Sequence, residues 1–70
     1  MNYYLGILLD RGSPIFVESE DRSQIQGIAE QLKHKNASVD LVIRGTTVSF
    51  NTRDVRKTVQ GEGDIRDCVL

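Results

Sequence analysis

Residues 39–50 constrain the fold of this chain more than any other stretch. Apolar and polar residues alternate there on both sides of a glycine, which predicts two antiparallel strands joined by a tight turn. We place a two-residue turn of type II′ at Gly45-Thr46, because that type needs a positive φ at its first position. One side of the hairpin is then apolar and the other side is mostly polar. The facing apolar-side pairs predicted by this turn are Ile43 with Val48, Leu41 with Phe50, and Val39 with Thr52.

A second hairpin is predicted at the start of the chain. Residues 2–9 are apolar on both faces, which is typical of a central strand. Gly12 can take the left-handed conformation of a three-residue loop, and Pro14 is tolerated at the start of the strand that follows. A three-residue loop predicts the facing pairs Leu5 with Val17 and Ile7 with Ile15.

An amphipathic helix is predicted between the two hairpins, from about residue 22 to 35. Asp21 is a suitable N-cap, and Gln24 three residues later approximates a capping box. Asn36 is a plausible left-handed stop after a basic last turn. The apolar stripe of this helix consists of Ile25, Ile28, Ala29 and Leu32.

These elements predict an α+β fold with the order ββαββ. The two hairpins form one four-stranded, mainly antiparallel sheet, and the helix packs on one of its faces. We expect a single domain over residues 1–60, with a short helical turn after residue 51 followed by irregular chain. The alternative is that the segment after residue 51 continues as a strand. Residues 61–70 are expected to form a flexible tail or to dock on the domain, because they combine a Gly-Glu-Gly break with apolar residues.

The second face of the predicted sheet is left without cover. Tyr4, Leu8 and Phe16 lie on that face and form the first candidate site, for a protein partner or for self-association. Small domains have thin cores, so such a face is often used for association. The alternatives are that the C-terminal segment covers these residues, or that they are scattered singly.

The distribution of charge indicates a second candidate site. The net charge is only −1, so there is no global field that would attract nucleic acid or an anionic membrane. The middle of the chain is nevertheless basic, and it could form a stripe from the helix end to the segment after the second hairpin. Arg53, Arg56 and Lys57, with Arg44 as a second contact, are the predicted anion- or partner-binding residues. The alternative is that these are ordinary solvated charges.

Side chains suited to catalysis or to metal binding are scarce. His34 is the one histidine and lies between two lysines, where it is expected to complement the helix end. Cys68 is the one cysteine and has acidic neighbours, which disfavour a thiolate nucleophile. We therefore expect no enzyme activity, no metal site and no cofactor. A lone cysteine and the absence of a signal or membrane-spanning pattern predict a cytoplasmic protein.

Three functions are compatible with this sequence. We expect a small non-enzymatic protein-binding regulator or adaptor that forms a homodimer through the uncovered sheet face or an edge strand. Small accessory proteins of bacteria or their phages often have this size and composition. The alternatives are a small nucleic-acid-binding protein that uses the basic segment, and a structural assembly subunit whose hairpin edges pair between copies.

Overall fold

The computed structural model describes residues 1–70 and contains five strands and one α-helix. The helix carries its apolar stripe against the strands, and two single-turn 3-10 helices occur at Thr52–Asp54 and Ile65–Asp67. In chain order the elements are β1 (Tyr3–Leu9), β2 (Ile15–Ser19), α1 (Arg22–Gln31), β3 (Ser38–Ile43), β4 (Thr46–Asn51) and β5 (Val55–Glu62).

The strands form two separate antiparallel sheets. One sheet has three strands in the order β2-β1-β5, and the other consists of β3 and β4. The prediction that β1 is a central strand is confirmed. The prediction of one four-stranded sheet is wrong, because β5 occupies the edge of β1 that the second hairpin would have needed.

Strand β5 stands where irregular chain is predicted. The short turn is present at Thr52–Asp54, and a strand of 8 residues follows it. The prediction of irregular chain is therefore wrong, and the alternative of a strand is closer, although this strand follows the turn and does not continue β4. Gln60 faces Leu5 and Thr58 faces Ile7 across β1, so the core-facing side of β5 is largely polar. An alternating apolar pattern is therefore absent, and the strand forms because β1 offers it an unpaired edge. Its register shifts beside Leu8, where β5 contains a bulge.

The first hairpin has the predicted register. Leu5 pairs with Val17 and Ile7 pairs with Ile15, as a three-residue loop requires. Gly12 has a φ of 88°, which is the left-handed conformation expected there.

The second hairpin is present, but its turn lies one residue earlier than predicted. Arg44 and Gly45 have φ values of 52° and 79°, so the turn is of type I′ rather than type II′. The observed pairs are Leu41 with Val48 and Val39 with Phe50. The register is therefore displaced by two residues from the prediction. A displacement by an even number leaves every side chain on its predicted face.

Helix α1 begins as predicted and ends early. The Asp21 side chain accepts a hydrogen bond from the Ser23 N–H, whereas Gln24 accepts from Ser19 and does not close a capping box. The hydrogen bond from the Ser23 hydroxyl, followed by that from its backbone N–H, lowers the pKa of Asp21. Beyond the last helical residue the chain tightens into turns in which N–H groups bond to carbonyls three residues back. The predicted stop at Asn36 is indeed left-handed, with a φ of 52°.

The core lies where α1 meets both sheets. Ile25 of α1 is completely buried, with 0% of its surface exposed, and it packs with buried residues from three of the strands. The buried apolar residues are Leu5, Ile7, Ile15, Val17, Ile25, Val39 and Leu41. Two parts of the molecule lie outside this core, namely the opposite face of the three-stranded sheet and the edges of the second hairpin.

Candidate partner-binding surfaces

The C-terminal segment lies across the face of the three-stranded sheet that is turned away from the helix. The Gly63 N–H donates to the Asn2 carbonyl (2.8 Å), and the Ile65 N–H donates to Glu18 Oε2 (3.3 Å). A Cβ atom placed on Gly6 would lie 2.6 Å from Cys68 Sγ. Such a distance is too short for any real side chain, so the segment rests directly on the glycine of β1.

Because of this placement, part of the predicted apolar site is covered within the domain. Tyr4, Leu8 and Phe16 do share one face, but the C-terminal segment covers the centre of that face. The alternative interpretation, in which this segment provides the cover, therefore applies to the centre of the face.

Tyr4 has a specific packing partner within the domain. Its neighbour across the β1–β5 pair is Gly61, and a Cβ on that glycine would lie 2.5 Å from Tyr4 Cζ. The tyrosine ring therefore lies over the glycine of the adjacent strand, as is typical when an aromatic residue covers an edge glycine. Tyr4 is consequently half-buried, and much of its predicted contact surface is used inside the molecule.

Phe16 is the member of the predicted site that stays exposed, with 40% of its surface accessible. It borders an open groove of about 490 Å³ between the tip of the second hairpin and the C-terminal segment. We call this feature the Phe16 groove. Its lining residues are Phe16, Ile43, Arg44, Ile65, Arg66 and Cys68.

The two arginines of the Phe16 groove differ in their partners. Arg66 is held by Asp64, with Nη2 and Nε at 2.6 and 3.0 Å from Oδ2. The hydrogen bonds from the Arg66 side chain and backbone lower the pKa of Asp64 to about 2. The side-chain hydrogen bond to Asp64 correspondingly raises the pKa of Arg66. Arg44 forms no ion pair, so its guanidinium is available to a ligand.

Arg44 is also conformationally unusual. Its φ of 52° lies in the left-handed region, where a type I′ turn prefers asparagine, aspartate or glycine. An ordinary L-residue in that conformation costs about 1–2 kcal/mol. The turn therefore carries a strained cation at the rim of the Phe16 groove.

The structure separates Arg44 from the rest of the predicted basic site. The Thr52 N–H bonds to the Ala37 carbonyl (2.8 Å), which places Arg53 at the opposite end of the second hairpin from its turn. A hairpin of six-residue strands is roughly 20 Å long at about 3.3 Å per residue. Arg44 therefore does not lie beside Arg53, Arg56 and Lys57 as the prediction required.

The other three cations follow one another along the chain, Arg53 in the 3-10 helix after β4, and Arg56 and Lys57 at the start of β5. Arg53 follows Thr52, whose hydroxyl accepts a hydrogen bond from the Ala37 N–H (2.9 Å). Asn51 donates to Asn36 (3.2 Å), which brings the basic turns that follow α1, with Lys33 and Lys35, next to this junction. Acidic groups share the region, because the Asp10 N–H bonds to the Asp54 carbonyl at the same end of the fold. Lys57 lies on β5 opposite Leu8, on the covered face of the sheet.

Sequence reasoning assigned Ile43 to the core side of its hairpin, and it missed the three groove residues of the C-terminal segment, namely Ile65, Arg66 and Cys68. They reach the groove only because the C-terminal segment crosses the sheet at Gly6. A glycine in the middle of a central strand often marks the close approach of another backbone, and this was the available signal.

Neither candidate surface contains a cluster of side chains suited to a metal ion, and no helix is long and apolar enough to cross a membrane. Cys68 is a half-buried free thiol. Comparison with protein families, with curated proteins and with solved structures found no match to this chain.

Proposed function

We propose that this protein is a non-enzymatic protein-binding regulator or adaptor that receives a segment of its partner in the Phe16 groove. The observation that carries the proposal is the exposure of Phe16 beside Arg44, an arginine without an ion-pair partner. Aromatic and arginine side chains are enriched at the centres of protein interfaces. The protein would act by occupying a surface of its partner and not by chemistry.

The groove favours a partner segment that combines one apolar side chain with carboxylates. Phe16, Ile43 and Ile65 provide an apolar floor, and Arg44 provides a planar, permanently charged group at the rim. A carboxylate can accept two parallel hydrogen bonds from such a guanidinium. The strained backbone of Arg44 supports this assignment, because strained residues often cluster at binding sites.

The first test compares capture of partners by five forms of the protein. The natural chain, Phe16→Ser and Arg44→Asn are used as baits in lysate of the native cell. Val69→Ser and Arg56→Asn serve as matched controls, since Val69 is 79% exposed and neither residue lines the groove. We expect at least one captured protein to be lost with both groove variants and kept with both controls. Identical capture by all five baits would overturn the proposal.

A second test uses probes of defined chemistry. Synthetic peptides containing one leucine or phenylalanine beside two glutamates are compared with matched peptides that carry lysines instead. We expect the acidic peptides to shift the NMR signals of Phe16 and Ile65, and Arg44→Asn to abolish the preference for acidic peptides. Equal binding of acidic and basic peptides would show that charge at Arg44 does not select the partner.

The basic end of the fold favours a second candidate function, binding of an anionic ligand such as nucleic acid. Hydrogen bonds join Asn36 and Ala37 to Asn51 and Thr52, and they bring the basic turns after α1 next to Arg53. A titration with random DNA and RNA at low and high salt tests this function, because phosphate contacts weaken steeply as salt rises. Absence of binding at low salt would eliminate it.

A further inference from the structure

The outer edge of β4 has no partner in the fold. Strand β4 pairs with β3 on one side only. None of the backbone hydrogen bonds outside the ladders involves residues 46–51. An open strand edge presents a row of N–H and C=O groups to which another strand can pair.

The position of the turn fixes which groups point outward. Residues that flank a two-residue turn form a hydrogen-bonded pair, and bonded and non-bonded pairs then alternate along an antiparallel ladder. The bonded pairs are therefore Ile43–Thr46, Leu41–Val48 and Val39–Phe50. The next bonded pair in this series would be Ala37–Thr52, and the hydrogen bond from the Thr52 N–H to the Ala37 carbonyl confirms it. The N–H and C=O groups of Thr47, Ser49 and Asn51 consequently point away from β3.

Among the edge strands, β4 has the fewest features that would prevent pairing with another strand. It reads Thr-Thr-Val-Ser-Phe-Asn, without charge, proline or glycine. Charged side chains, bulges, prolines and short length are the usual devices that keep an edge strand from associating. The other edge strands carry such devices: Arg56 with Lys57 beside a bulge in β5, Asp40 in β3, and Glu18 with a preceding Pro14 in the five-residue β2.

We propose that two copies of this chain pair through β4, antiparallel to one another about a two-fold axis at Ser49. The two-stranded sheets of the copies then join into one four-stranded sheet. The outward groups of Thr47, Ser49 and Asn51 provide about six backbone hydrogen bonds across the axis. This proposal does not depend on the Phe16 groove, because the groove is formed by other elements.

The face pattern selects this register. The residues whose backbone groups point outward have odd numbers (47, 49 and 51), and they must face one another across the new strand pair. The numbers of two facing residues therefore add up to an even sum. An axis at Ser49 meets this condition and places Val48 opposite Phe50 of the second copy, twice. Pairs of an aromatic and a β-branched residue are among the favourable cross-strand contacts. Val48 and Phe50 are only half-buried in the single chain, so the second copy would extend their cover.

The extent of β4 favours the same axis. An axis at Ser49 pairs all three outward-bonding residues within the strand, Thr47 with Asn51 and Ser49 with its own counterpart. An axis at Val48 or at Phe50 would leave one of the three facing a residue outside β4, and fewer backbone hydrogen bonds could form.

Sedimentation equilibrium across a roughly hundredfold range of protein concentration tests the proposal, since a strand-pair interface of this size is expected to be weak. We expect a reversible monomer–dimer equilibrium. Amide hydrogen exchange should slow at Thr47, Ser49 and Asn51 at high concentration only. A monomer at every concentration would overturn the proposal.

Ser49→Pro removes an outward N–H without breaking the β3–β4 ladder, and we expect it to prevent dimerisation. Asp40→Pro is the matched control, because Asp40 faces Ser49 and its own N–H points outward on β3. Ser49→Lys provides a second variant in case proline disturbs folding. A dimer that persists in both Ser49 variants would overturn the assignment to β4. In a Cys68→Ala background, Ser49→Cys should form a disulfide between the two copies under oxidising conditions, because the axis places residue 49 of one copy opposite residue 49 of the other. Cross-linking through Thr47→Cys but not through Ser49→Cys would overturn the register.

Discussion

A methyl group added at Gly6 would test whether the C-terminal segment is seated on the sheet. The new Cβ would lie 2.6 Å from Cys68 Sγ and 3.1 Å from Leu70 Cδ2. Ordinary contacts between such atoms lie at about 3.5–4.0 Å, so the sulfur must retreat by roughly 1 Å. Overpacking of this kind costs about 1–3 kcal/mol, and alanine recovers about 0.5–1 kcal/mol because glycine is unfavourable in a strand.

We therefore expect Gly6→Ala to lower the free energy of unfolding by about 1 kcal/mol, which corresponds to about 4–8 °C in Tm for a domain of this size. Urea unfolding followed by circular dichroism measures the change. The lone cysteine gives a second readout, because displacement of the segment should speed the reaction of Cys68 with a thiol reagent in the folded protein.

Gly27 offers a matched control on helix α1. A Cβ placed on it would meet nothing within 4 Å. Gly27→Ala is therefore expected to stabilise the protein by up to about 1 kcal/mol and to leave the reactivity of the thiol unchanged. The same change from glycine to alanine is thus expected to lower the free energy of unfolding at Gly6 and to raise it at Gly27.

A double-mutant cycle isolates the contact itself. In a Cys68→Ala background the sulfur is absent, so the destabilisation caused by Gly6→Ala should shrink. An equal loss of stability in both backgrounds, with no change in thiol reactivity, would refute the proposed seating of Cys68 on Gly6.

Three further changes test separate parts of the structure. Gly61→Ala should lower the free energy of unfolding by about 1–3 kcal/mol and change the near-ultraviolet circular dichroism, because the new methyl group displaces the ring of Tyr4. Arg44→Asn should raise the free energy of unfolding by about 1 kcal/mol in urea titrations, since asparagine tolerates the left-handed conformation. The pKa of Asp64 is lowered from 3.8 to about 2, so its ion pair with Arg66 stabilises the fold above pH 3.8 and this stabilisation is lost as pH falls towards 2. The stability advantage of the natural chain over Asp64→Asn should therefore vanish across that range, and a constant difference would contradict it.

Local patterns predicted the elements that have a distinct apolar face. The first hairpin and the start of α1 followed from side-chain alternation, loop length and the Asp21 cap. Strand β5 did not, because Thr58 and Gln60 face the core side and its stability comes from the open edge of β1. The number of strands in each sheet is decided by competition for that edge, which no local pattern encodes.

The candidate site was only partly predictable, because some of its residues follow from a local pattern and others depend on a contact between distant segments. Phe16 was identified as an exposed apolar residue from its place in the first hairpin. Its neighbours Ile65 and Cys68 come from a segment more than forty residues away, and their position depends on the approach to Gly6. Arg44 was assigned to a basic cluster by its proximity in sequence, whereas the length of the hairpin separates it from Arg53.

The two proposed surfaces use different residues, and this has a consequence that can be measured. The Phe16 groove includes Phe16 and Arg44, whereas strand pairing uses the outward groups of Thr47, Ser49 and Asn51. Coupling between two binding events requires that each ligand change the affinity for the other by the same factor, and surfaces that share no residue are expected to be uncoupled. An acidic peptide should therefore leave the monomer–dimer equilibrium unchanged, and Arg44→Asn should weaken peptide binding without changing dimerisation. A peptide that shifted the equilibrium towards monomer would show that the two surfaces interfere with each other.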